Sequence, residues 1–113
     1  MKQATRAPVY AVLFTGLSDI VRSHGYALAA HGSMQTDMDV VAIPWTEGAT
    51  SAEELVEGIV EYLSVFSMLV DGEVKRYGPE QKPHGRVAWV LALGYGAQLD
   101  ISIMPKHTLK NSG

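Results

Sequence analysis

Cysteine is absent from the 113-residue chain, which excludes disulfides, zinc–thiolate sites and thiol catalysis. Long apolar runs are missing too, since none approaches the ~18 residues that mark a membrane span. A leader-like stretch at 7–17 follows Lys2 and Arg6, but Ser18, Asp19, Arg22 and Ser23 continue it with a polar face. An amphipathic helix is therefore expected there, and a cytoplasmic location with no membrane partner. A basic surplus is lacking as well: net charge is −3 and the pI is near 5.7. That gives no electrostatic footprint for an extended nucleic-acid surface. No internal repeat, low-complexity tract or linker interrupts the chain, so one domain over 1–113 is expected, with 1–7 and 106–113 as loose ends.

What is present is the composition of a globular domain, 47% hydrophobic and 19% charged. Val9, Val12, Leu13, Leu17, Ile20 and Val21 recur at helical spacing and predict a helix over 8–24, stopped by Gly25. Gly16 inside that helix marks a place of close packing. Short strands are predicted at 26–30 and 38–43, the second apolar on both faces and ended by Pro44. Thr50, Ser51, Ala52 and Glu53 offer a capping box for a second helix. Its apolar face is Ala52, Leu55, Val56, Ile59, Val60, Leu63 and Phe66, with Glu53, Glu54, Glu57 and Glu61 outside. Residues 71–85 read as loop, with a short edge strand within 68–75. A hairpin is predicted from 86–93 and 97–104, turning at Gly94, Tyr95 and Gly96. The fold class is α/β in the α+β sense: a small mixed sheet of about four strands with two main helices packed on it.

Asp37 and Asp39 flank the start of the second strand. Side chains two apart on a strand share a face, so these carboxylates lie side by side and repel. A divalent cation relieves that repulsion, and Mg²⁺ favours carboxylates together with substrate phosphates. A pair of this kind is equally compatible with a turn or cap. Asp100 lies within Leu99, Asp100, Ile101, Ser102, Ile103 and Met104, a strand otherwise built for burial. It needs a cation, a donor cluster or water; the alternative is an edge strand that turns Asp100 to solvent.

The run from Tyr26 through Ala30 to His31, Gly32 and Ser33, then Asp37, Met38, Asp39, Val40 and Val41, then Leu99, Asp100 and Ile101, resembles the DNA polymerase β-type nucleotidyltransferase superfamily in its minimal, stand-alone form. The resemblance spans about 8–104. It implies a two-metal phosphoryl-transfer site in which Asp37, Asp39 and Asp100 hold Mg²⁺ or Mn²⁺ between the phosphates of a nucleoside triphosphate and an attacking hydroxyl. Asp100 would orient or deprotonate that hydroxyl, and Gly32 and Ser33 would let the backbone approach the phosphates. Only Met34, Gln35 and Thr36 separate Ser33 from Asp37, too few for the short phosphate-binding helix that the family places there.

Lys82, His84 and Arg86 gather charge around Pro83 and Gly85, and are candidate phosphate-binding residues; an exposed turn with solvated charges explains the same segment. His31 reads as a strand-end histidine or a lining residue of the site. Trp45 and Trp89 are expected in packing, with base stacking as the other option. The acceptor is unidentified. The alternative function is a catalytically degenerate nucleotidyltransferase-fold module that binds nucleotide or a protein partner. A homodimer or partner subunit fits a domain of this size.

Overall fold

The computed structural model describes residues 7–31, 37–65, 73–94 and 97–106. Helix α1 spans Ala7–Ser23, followed by strands β1 (Tyr26–His31) and β2 (Asp37–Pro44) and helix α2 (Ala52–Ser64). Strand β3 (Lys75–Gln81), a single 3-10 turn (Pro83–Gly85), β4 (Val87–Gly94) and β5 (Ala97–Ile103) complete the order. The sheet has five strands in the order β1-β2-β5-β4-β3. It is antiparallel except between β2 and β5, which run parallel. The two-helix, mixed-sheet class expected from the pattern is what forms, with one strand more.

That extra strand is β3. The sequence places an edge strand within 68–75, whereas the strand starts at Lys75 and runs through Gly78 and Pro79. Gly and Pro inside a run argue against a strand, but both are tolerated at an edge beside a bulge. The register of β3 on β4 shifts between Tyr77 and Glu80, and every residue of β3 is exposed.

Both helices cover one face of the sheet. From α1, Tyr10, Leu13, Leu17 and Val21 are buried. The apolar stripe is thus rotated from the expected one: Val12 is exposed, and Tyr10 takes an inward position. From α2, Leu55, Val56, Ile59 and Leu63 face the sheet, and Glu53, Glu54, Glu57 and Glu61 face outward as the pattern requires. Phe66 lies outside the described residues. The helices meet Met38, Val40 and Ala42 of β2, Trp89, Leu91 and Leu93 of β4, and Leu99, Ile101 and Ile103 of β5.

Local chemistry sets the helix ends and their approach. Gly25 adopts φ +89°, the left-handed C-terminal stop that glycine accepts without strain. A Cβ there would lie 2.6 Å from the Ala49 Cα. Ser51, not Thr50, caps α2: its hydroxyl accepts from the Glu54 N–H at 3.2 Å, and Glu54 accepts the Ser51 N–H at 3.2 Å. The box therefore sits one residue later than the pattern at Thr50 and Glu53 suggested. Gly16 does mark close packing, since a Cβ there would overlap the Tyr62 hydroxyl of α2, which donates to the Leu13 carbonyl at 3.1 Å.

Candidate active site

The other face of the sheet carries no helix among the described residues, and the alternation of the strands decides what it presents. Met38, Val40 and Ala42 are buried in the core, so Asp37, Asp39 and Val41 point the opposite way. On β5, Leu99, Ile101 and Ile103 are buried, so Gln98, Asp100 and Ser102 share the open face. The parallel register pairs Asp39 with Asp100 and Asp37 with Gln98. Residues far apart in sequence thus meet as direct neighbours on adjacent strands, about 4.8 Å apart at the backbone. Asp100 does not sit on an edge strand: β5 is held between β2 and β4.

The electrostatics reflect that closeness. Partial burial pushes the Asp100 carboxyl above its ordinary range, and the negative charges of Asp39 and Asp37 push it the same way. A hydrogen bond with Asp39 also favours the protonated form. Gln98 opposes these effects by donating from Nε2 to Asp100 Oδ1 at 3.0 Å. The backbone N–H of Gln98 in turn donates to the buried Tyr10 hydroxyl at 3.2 Å, which ties the open face to α1 through the sheet. Gln98 belongs to no motif legible in the sequence, although its position two residues before Asp100 puts it on the same face.

The ion pairs among the described residues join Arg22 to Asp19, Arg76 to Glu57 and Lys82 to Glu80. None neutralises Asp37, Asp39 or Asp100. Among the described residues no cationic side chain pairs with these carboxylates, and carboxylate oxygens are the hard donors that Mg²⁺ or Mn²⁺ takes, so the donor chemistry fits a divalent ion. The side chains are not drawn into a closed cage, however. Among the described residues no group of three or more His, Asp or Glu is arranged to hold a metal as it stands.

The remaining sequence-predicted residues are distributed unevenly. Gly32 and Ser33 lie outside the described residues. His31 stands opposite Asp39 in the backbone register. Lys82, His84 and Arg86 sit at the other end of the sheet, where Val87 pairs with Ile103, while Asp100 pairs with Val90. Arg86 precedes Val90 by four residues, about 13 Å along the strand. The turn is tight, with His84 at φ 68° and the Lys82 N–H donating to the Arg86 carbonyl at 2.8 Å. Its charges do not converge on the carboxylates. Trp89 is buried as expected for packing, whereas Trp45 is 65% exposed. A hollow of about 680 Å³ lies away from the acidic site, between α2 and the start of β3, where Val60, Ser64, Lys75, Arg76 and Tyr77 line it.

Comparison with known proteins adds likeness in structure alone. No protein-family model matches the chain, and no curated protein matches it. A solved structure described as "Structural Basis for the Activity of a Cytoplasmic RNA Terminal U-transferase" aligns with a TM-score of 0.48 and 16% identity. The alignment covers 85% of this chain and 28% of that one. A likeness of this size establishes no shared activity. No helix among the described residues is long and apolar enough to cross a membrane.

Proposed function

We propose that this chain is a nucleotidyltransferase-like protein that transfers a nucleotidyl group from a nucleoside triphosphate to a hydroxyl acceptor. One observation carries the reading. Asp39 and Asp100 are register partners on adjacent parallel strands, with Asp37 beside them, on the sheet face that the helices leave open. That juxtaposition fits the site implied by the resemblance to the polymerase β-type superfamily. Asp37, Asp39 and Asp100 would hold Mg²⁺ or Mn²⁺, which neutralises charge on the phosphates when bound. Asp100 would be the group to accept the proton of the attacking hydroxyl, the role that the resemblance gives it, because it stands in register with Asp39 on the open face. Gln98 orients Asp100 through its amide. Gly32 and Ser33 remain candidates for the backbone approach to the phosphates; Lys82, His84 and Arg86 do not enter the proposed site.

A second reading keeps the nucleotide and drops the transfer. It is favoured by the three-residue spacer Met34, Gln35 and Thr36, and by the lack of a lysine or arginine paired with the carboxylates among the described residues. Thermal unfolding in Mg²⁺ or Mn²⁺, with and without a nucleoside triphosphate, tests both. Ligand at a hundred times its Kd is expected to add about 2.7 kcal/mol of stability, and Asp39→Asn is expected to remove that gain. Pyrophosphate release in the presence of hydroxyl acceptors then separates transfer from binding alone. No stabilisation by metal and nucleotide together overturns both readings.

A further inference from the structure

Tyr77 is distant from the carboxylates in sequence, but the register of the sheet brings it level with them. Asp39 pairs with Asp100, Asp100 with Val90, and Val90 with Tyr77. One row across the helix-free face therefore runs from Asp39 to Tyr77. Tyr77 is 58% exposed, and among the described strand residues it is the only aromatic on this face. Tyr77, Gly78, Glu80, Ala88, Trp89 and Val90 line a hollow of about 190 Å³ beside it.

The hollow is shaped by β3 itself. The register shift between Tyr77 and Glu80 bends the edge strand. Gly78 adopts φ +130°, and a Cβ there would lie 2.8 Å from the Ala88 carbonyl oxygen. Between Tyr77 and Asp100 the floor is small and apolar, with Val90 in the same row and Ala88 and Ala92 on either side. Two strand spacings, about 10 Å, separate Tyr77 from Asp100. The sugar–phosphate arm of one nucleotide spans that gap.

We infer that the hollow is a nucleobase subsite: the base of a nucleoside triphosphate stacks on the Tyr77 ring over Val90 and Ala88, with its phosphates directed toward Asp39 and Asp100. This assignment rests on the nucleotidyl-transfer reading and supplies its missing half, a place for the base. An aromatic face accepts any base, because every base has a π-face. Tyr77 therefore contributes affinity for the nucleoside moiety rather than for the phosphates.

Binding measurements on the full chain in Mg²⁺ test the assignment, with a nucleoside triphosphate and inorganic tripolyphosphate as paired probes. Tyr77→Ala is expected to weaken nucleotide binding roughly tenfold or more while leaving tripolyphosphate binding unchanged. Tyr77→Phe, which keeps the ring, is expected to bind both as the unsubstituted chain does. Tyr77 is exposed, so both variants are expected to unfold at the unsubstituted temperature. Equal nucleotide affinity in Tyr77→Ala, or equal loss of both probes, overturns the base subsite and leaves the transfer reading standing. If the unsubstituted chain binds neither probe, the transfer reading fails and the subsite with it.

Discussion

Asp100 shows how one residue can be poor for stability and suited to chemistry. Its carboxyl titrates above the ordinary range because of burial and the neighbouring Asp39 and Asp37 charges. A carboxyl whose pKa is higher in the folded state than in the unfolded chain favours folding while protonated. That contribution is lost as the pH rises through the folded-state pKa. Without a divalent ion, stability is therefore expected to fall as Asp100 ionises, above the usual carboxylate range. Asp100→Asn keeps an acceptor for Gln98 and removes one charge. In chelator at neutral pH it is expected to raise the melting temperature by a few degrees, and to flatten this part of the pH profile; a lower melting temperature would show that the repulsion is not felt. Gly25 makes the opposite case, a residue needed only for shape. Gly25→Ala places a side chain in the left-handed region and 2.6 Å from the Ala49 Cα. A loss of roughly 2–4 kcal/mol in denaturant unfolding is expected from strain and overpacking together.

The elements differ in how plainly their residues announce them. Helix α2 is written in its pattern: glutamates outside, aliphatic residues inside and an N-terminal cap. Ser51→Ala is expected to cost about 1 kcal/mol, whereas Thr50→Ala, one residue away, is expected to cost much less in the same denaturant titration. Two overlapping boxes, Thr50 with Glu53 and Ser51 with Glu54, satisfy the same rule, and the chain uses the second. Strand β3 is the least legible element. Lys75, Arg76, Tyr77, Gly78, Pro79, Glu80 and Gln81 show no apolar alternation because no face of an exposed edge strand is buried. Such a strand forms because β4 offers it hydrogen-bonding partners, which is information held elsewhere in the chain. In α1 the helix is legible and its rotation is not: Tyr10 is amphipathic and fits either face, and it is buried while Val12 is exposed.

At the scale of the whole molecule, the site depends on a single topological fact. Inserting β5 next to β2, parallel to it, aligns Asp100 with Asp39. Period-two alternation predicts that Asp37 and Asp39 share a face and that Asp100 lies opposite Leu99 and Ile101. Alternation cannot tell which face of which strand adjoins another, because strand order and register are long-range choices. The same limit explains Lys82, His84 and Arg86, whose charges are clear in sequence but whose turn lies beyond the far end of the strand from Asp100. It explains Tyr77 too, which reaches the acidic row only through two steps of pairing. Mn²⁺ binding followed by electron paramagnetic resonance probes this alignment most directly, in the unsubstituted chain, Asp39→Asn, Asp100→Asn and the double variant. If the two carboxylates share one ion, each single substitution is expected to weaken binding at least tenfold, and the double variant to be little worse than either. Mn²⁺ binding unaffected by Asp100→Asn, or losses that simply add, would mean that the paired strands do not build a common cation site.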